Sequence, residues 1–270
     1  MTFPAAMVHA IRCSRMNRRK ALTAIGASPL LAAAESGVTR QYYELRRYQL
    51  RNGSQPERAK QFFEQHFLPA AKRAAAGPVG LFGALISESG PFWLVLIPYR
   101  SFADAEHFDE KLMTDSNFGK AAQEWNKPRD PGFVRYENTL LRAFTGMPQI
   151  NAPPHLQSGK HIFELRTYES NDPETLRRKV RMFNEGEMQI FQRLGMNPVF
   201  FGEALFGERM PHLTYMLAYD DLAARDRVWK MFGSDPAWAK LRSQPGFSDA
   251  DIVSNISNAL LQPSDFSDIR

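Results

Sequence analysis

Tyr43-Glu44-Leu45-Arg46-Arg47-Tyr48 and Phe163-Glu164-Leu165-Arg166-Thr167-Tyr168 are one pattern written twice, 120 residues apart. The same offset pairs Pro78-Val79 with Pro198-Val199, Ala84-Leu85 with Ala204-Leu205, and Pro91 with Pro211. It also pairs Tyr99 with Tyr219, Asp115 with Asp235, and Asn138, Leu140 and Leu141 with Asn258, Leu260 and Leu261. Chance would scatter identities at roughly one position in sixteen. Here they fall in every expected element, as a duplicated unit requires.

Working outward from the two hexapeptides, each copy reads strand, helix, strand, strand, helix, strand. Residues 41–50 and 161–169 alternate and are rich in aromatic and branched side chains, the signature of a half-buried strand. Helices open at Pro56 and at Asp172-Pro173. The first carries Phe62, Phe63, His66, Phe67 and Ala70 at helical spacing; the second carries Val180, Phe183, Met188 and Phe191. Hairpins are predicted for 79–99 around Glu88-Ser89-Gly90-Pro91 and for 199–219 around Gly207 to Pro211. Ser101 with Asp104 caps a helix bearing Phe102, Ala105, His107, Phe108 and Leu112. Last strands fall near 133–144 and 251–261. The order βαββαβ is that of the ferredoxin-like unit, whose sheet has helices on one face and needs a partner on the other. The fold class is therefore α+β: two tandem ferredoxin-like domains, at 40–145 and 160–265, packing sheet to sheet as an intramolecular dimeric α/β barrel. Gly146 to Gly159, with Met147-Pro148 and Pro153-Pro154, reads as an exposed linker.

Residues 1–34 read as an address. Arg18-Arg19 precede an apolar run from Ala21 to Ala34, and Ala32-Ala33-Ala34 offers a cleavage site before Glu35, as in a twin-arginine signal peptide. Fourteen residues fall short of the about 20 a membrane-spanning helix needs. Initiation at Met1, Met7 or Met16 is compatible with this reading. The expected location is the periplasm or the exterior of a bacterium, with no membrane span in the mature chain. The net charge of +5 arises here: Arg12, Arg15, Arg18, Arg19 and Lys20 stand without an acid. Removing these five from 34 leaves 29 basic residues against 29 acidic ones. With no basic surplus to displace counterions, nucleic acid is excluded as a main partner. The single Cys13 lies before the apolar run, so the mature chain has neither disulfide nor thiolate.

The paired E-L-R-x-Y openings, the Pro-Val second strands and Asp235-Pro236-Ala237-Trp238 resemble the NIPSNAP family over about residues 42–262. The resemblance implies the dimeric α/β-barrel superfamily. Its members include cofactor-free monooxygenases, haem-binding and haem-degrading enzymes, and proteins without a known reaction. Homo-oligomers are compatible with it.

The sequence carries no G-x-G-x-x-G after a strand, no P-loop, no G-x-S-x-G and no H-E-x-x-H, and no histidine pair spaced for metal. No resident cofactor or metal is expected, haem being the alternative that the resemblance supplies. The candidate site residues are Glu44, Arg46 and Tyr48 with Glu164, Arg166 and Tyr168, each trio on one face of its strand. As structure, the charges would pair across the pseudo-two-fold. As function, Arg46 or Arg166 would hold an anion while Glu44 or Glu164, its pKa raised by burial, moves a proton. His66 and His107 are further catalytic candidates, because the offset replaces them by Gly186 and Arg227. Trp93 before the His107 helix is similar to the layout of haem-degrading relatives, although their first-strand Asn is replaced here by Glu44 or a tyrosine. Phe82, Phe92, Trp93 and Phe102, with Phe200, Phe201, Phe206 and Trp229, would line an apolar pocket between sheet and helices. Three readings follow. The chain is an exported binder of a small apolar or aromatic ligand, an oxygenase or haem protein of the superfamily, or a structural protein.

Overall fold

A computed structural model describes residues 39–154 and 161–270. The signal peptide expected at 1–34 and the end of the linker lie outside the described residues.

The first half runs β1 (Tyr42–Gln49), α1, β2 (Gly80–Ile86), β3 (Phe92–Tyr99), three short helices and β4 (Arg135–Ala143). Helix α1 spans Gln55–Phe62, widens into a π-turn at Phe63–Phe67 and continues as Leu68–Ala74. The second half repeats the order with β5 (Ile162–Glu169), α5, β6 (Asn197–Phe206), β7 (His212–Tyr219) and β8 (Asn255–Pro263). Helix α5 runs Pro173–Met182, a π-turn at Phe183–Glu187, then Met188–Arg193. Asp172 caps α5 in a reciprocal box with Thr175, and Ser101 accepts from the Asp104 amide at the start of α2 (Phe102–Glu106).

Between α2 and β4 stand α3 (Phe108–Met113) and α4 (Ser116–Trp125); between β7 and β8 stand α6 (Leu222–Gly233), α7 (Pro236–Arg242) and α8 (Asp249–Ile252). Helices α4 and α7 had no place in the six-element pattern. Asp115 and Asp235, identical across the offset, are their caps, each accepting from two backbone amides. This is how Asp235-Pro236-Ala237-Trp238 acts as a motif. The Asp stops one helix and starts the next, and Trp238 is buried beneath it.

The two sheets close into one barrel in the order β1-β3-β2-β8-β5-β7-β6-β4, all antiparallel. Within each half the third strand sits between the first two; the seams are β2 with β8 and β4 with β6. At the second seam Gly202 permits close approach, since a Cβ there would lie 2.7 Å from Leu141 Cβ. Three cores result. One fills the lumen, with Tyr43, Phe82, Phe163, Phe200 and Met216 fully buried. The others lie under the helices of each half.

The linker is tied down rather than free along its described part. The Gln41 amide donates to the Pro148 carbonyl, Ile150 N to Gln41 Oε1 and Asn151 N to the Val199 carbonyl. Nor does the second half end at 265. Residues 264–270 cross to the first half, where Ser264 N donates to Leu81 O and Asp268 N to Val79 O. Ile269 is thereby buried in the lumen.

Such a barrel has no free edge, but each half alone has two, β2 and β4 or β6 and β8, beside an apolar lumen face. Residues 39–151 produced alone should therefore be recovered as dimer or aggregate in light scattering. A soluble, cooperatively unfolding monomer would show that the seams are dispensable.

Candidate functional site

Strands β1 and β5 lie on opposite sides of the barrel, four places apart in the strand order. The two trios therefore do not meet, which corrects the expected pairing across the pseudo-two-fold. Both trios face away from the lumen toward their own helices, since Tyr48 and Tyr168 belong to the helix-side cores. Period-two alternation put each trio on one face, but both faces of β1 and β5 are covered. The pattern could not say which face was which.

In the first half Glu44 accepts from Arg46, from Tyr99 Oη and from Asn138 Nδ2 (2.6 Å), while Arg46 Nη1 reaches Asp109 Oδ1 at 2.8 Å. In the second half Glu164 has no exposed surface. Its Oε1 accepts from Arg166 (2.8 Å), Arg225 (2.6 Å) and Asn258 (3.2 Å), and its Oε2 from Arg225 (2.9 Å), Trp229 (2.9 Å) and Tyr219 (3.2 Å). Burial alone would raise the Glu164 pKa. The Arg225 hydrogen bonds and the Arg166 charge outweigh it and hold the carboxyl below its ordinary value. A carboxylate with six donors has no lone pair left for a substrate proton. The raised pKa expected for a catalytic Glu164 is thus reversed, and Arg46 and Arg166 are occupied by protein carboxylates rather than free for an anion. The partners were legible: Tyr99 with Tyr219 and Asn138 with Asn258 are identities of the same 120-residue offset.

Sequence reasoning missed a second buried set. Lys179, 1% exposed, donates to Glu187 Oε2 and Asp249 Oδ1, both at 3.1 Å, and lies 5.1–5.4 Å from the ring centres of Phe183, Tyr168 and Trp238. Nearby, Tyr215 Oη donates to Tyr168 Oη (2.9 Å), which also accepts from Arg166 (3.2 Å). Burial raises the pKa of Glu187 despite Lys179. Burial would lower that of Lys179, but Glu187 and Asp249 raise it. At the offset the first half has Ala59, Phe67 and Val95 in place of Lys179, Glu187 and Tyr215, all buried and apolar. Lys179 and Glu187 are buried and paired, and Asp249, half-exposed, ties α8 to α5.

The other candidates scatter. His107 caps α2 with its side chain 54% exposed and Nδ1 3.3 Å from Glu110 Oε2. His66, half-buried, flanks an open groove between α1 and α4. Trp93 packs on the helix-side core, lying against Gly83. Among the described residues no three His, Cys, Asp or Glu side chains group to hold a metal. The aromatic set does not line one pocket: Phe82, Phe92 and Phe200 face the lumen, Phe201 lies under the helices, and Phe102 and Phe206 are exposed.

The lumen itself supplies the cavity. Along β1 the inward side chains are Tyr43, Leu45 and Arg47; along β5 they are Phe163, Leu165 and Thr167. Pairing register sets Leu94 and Glu137 beside Arg47, and Thr214 and Ser257 beside Thr167. The barrel therefore grades from an aromatic floor through leucines to a polar rim. Two overlapping cavities of about 550 and 580 Å³, open mouths included, share Arg47, Leu94, Leu165, Thr167 and Arg209. Both hairpins, at 87–91 and 207–211, overhang this end. Thr167 and Thr214 hydroxyls are 2.9 Å apart, and the Thr214 hydroxyl is 3.3 Å from His212 Nδ1. Burial lowers the pKa of His212, so its ring is neutral at pH 7. Clefts with apolar walls and a few polar groups are the usual form of small-molecule sites.

A closed eight-stranded antiparallel barrel with outer helices is the dimeric α/β-barrel architecture, and solved structures agree. A proposed monooxygenase from Fusobacterium nucleatum superposes with a TM-score of 0.56 at 12% identity, over 83% of this chain and 93% of that one. Another from Lactobacillus acidophilus gives 0.52 at 10% identity, over 83% and 94%. At these identities the likeness is one of fold. Residues 163–268 match the NIPSNAP family model, so the second half contains a NIPSNAP domain. A NIPSNAP protein from Agrobacterium tumefaciens is 21% identical over 44% of this chain and all of that one, with a TM-score of 0.38. No curated protein matches the chain. Among the described residues no helix is long and apolar enough to cross a membrane.

Proposed function

We propose that the chain is an exported protein that binds a small apolar or aromatic molecule in the open half of its barrel. The lumen cavity carries this reading: its walls are leucine and alanine, its rim is polar, and Leu165 and Thr167 keep surface exposed within it. Export rests on Arg18-Arg19 and the apolar run that follows. Protein purified from the native periplasm should begin near Glu35 and release an organic ligand on denaturation, detected by mass spectrometry. An intact Met1 or Met16 on periplasmic protein, or export that ignores Arg18→Lys with Arg19→Lys, would overturn the export half. A native preparation empty of ligand would overturn the binding half, and a Soret band would replace it with haem binding.

A further inference from the structure

Two guanidinium groups, those of Arg47 and Arg209, stand at the cavity mouth. Arg47 lies 4.3 Å over the Phe92 ring, which fixes the plane of its guanidinium. Its Nη2 donates to Ser89 Oγ at 2.6 Å and to the Ser89 carbonyl at 3.3 Å, while its Nε, like that of Arg166, is buried without an acceptor. Its one carboxylate, Glu137, is 3.4 Å away and is shared with Arg135, whose Nε donates at 2.8 Å. One negative charge thus serves two cations. Arg209, on the opposite hairpin, has only the Ser257 hydroxyl, at 3.3 Å, and no carboxylate within ion-pair reach among the described residues. Its backbone φ of 56° is in the left-handed region, which a residue other than Gly, Asn or Asp occupies at a cost. Arg209 is thus a guanidinium at the cavity mouth with room for a carboxylate from a ligand.

We propose that the cavity takes an amphipathic carboxylic acid, with its apolar body down on Leu45, Leu165 and Leu261 and its carboxylate at the mouth between Arg47 and Arg209. This rests on the ligand-binding reading above and adds the ligand's charge and orientation. A monoanion suits this mouth better than a dianion. Glu88, Glu137 and Glu208 also border the mouth, so a phosphate dianion would meet repulsion that a monoanion largely avoids. Glu88, Glu208 and Arg209 are all exposed on their hairpins and alike screened by salt. His212, neutral and buried, adds no charge.

The test is calorimetric titration of the purified chain with two matched pairs: octanoate against octan-1-ol, and 2-naphthoate against 2-naphthylmethanol. At least one acid should bind about tenfold or more tightly than its alcohol, as a charge-assisted arginine contact implies. The better pair distinguishes a chain-like body from a ring. Arg209→Gln, at an exposed position that leaves the fold intact, should erase most of that difference while leaving alcohol binding unchanged. Arg47→Gln should do the same. Ala259→Phe, which fills the lumen, should remove binding of acid and alcohol alike. Alcohols binding as tightly as acids would overturn the carboxylate and leave the cavity as the ligand site. Binding of acids that neither arginine variant weakens would move the anion elsewhere. Absence of binding by all four probes would overturn the proposal, while the native ligand analysis judges the cavity separately.

Discussion

Glu164→Gln is expected to cost the protein about 3–5 kcal/mol in denaturant unfolding, the penalty of leaving buried charges uncompensated. Six hydrogen bonds from five side chains converge on that carboxylate. An amide in its place turns a donor toward Arg166 and Arg225 and removes the carboxylate that forms ion pairs with both. The equivalent Glu44→Gln should cost clearly less, because Arg46 retains Asp109 at 2.8 Å. The pH dependence has a definite sign. Glu164 has a folded pKa below its ordinary value, so its contribution is fully present above the unfolded pKa. It is lost as pH falls through the folded one. The gap between the parent protein and Glu164→Gln should therefore close in acid. Equal costs for the two substitutions, or a gap constant from pH 7 to acid, would show that the donors around Glu164 do not act on its charge.

Lys179→Met should cost a similar amount at pH 8, about 3–5 kcal/mol, because it strands Glu187 in the core. Burial already raises the Glu187 pKa with Lys179 present, and without the ammonium it must rise further. The variant should thus recover stability as pH falls through that value and the carboxyl takes up a proton. Lys179→Met with Glu187→Leu should regain most of the loss, since a buried ion pair exchanged for apolar groups of similar volume is often neutral or better. The first half is a precedent, holding Ala59 and Phe67 at the same places. A single substitution costing under about 1 kcal/mol, or a double one worse than the single, would mean that the ion pair does not anchor α8.

Much of the fold was written in short-range patterns. Strands β3 and β7 have the predicted limits, and the caps at Ser101 and Asp172 bind the expected amides, because alternation and capping are local physics. What escaped was set by distance. Nothing in Val79–Ser87 announces that β2 will pair with β8, and only closure of the seams decides which side of β1 becomes lumen. Lys179 and Glu187 stand eight residues apart on a helix whose apolar periodicity was carried by Val180, Phe183, Met188 and Phe191. The π-turn at Phe183–Glu187 left no mark in that pattern, and a lysine there reads as solvated surface. The asymmetry argument that favoured His66 and His107 was sound as logic. It singled out a half-buried and an exposed position, whereas the buried differences include Lys179 for Ala59, Glu187 for Phe67 and Tyr215 for Val95.

One linker joins the two halves of the barrel, and that connection has a consequence for what the barrel can recognise. Where two identical chains build such a barrel, every substitution appears twice, and any cavity on the symmetry axis must present the same groups from both sides. Such a site suits a ligand that is itself symmetric, or one bound in two equivalent poses. Here a single chain supplies both sides, so Arg47 can face Thr167, Phe92 can face His212 and Leu94 can face Thr214. A mutation at one wall leaves the opposite wall untouched. Joining the halves frees the axis for an occupant with a distinct head and tail.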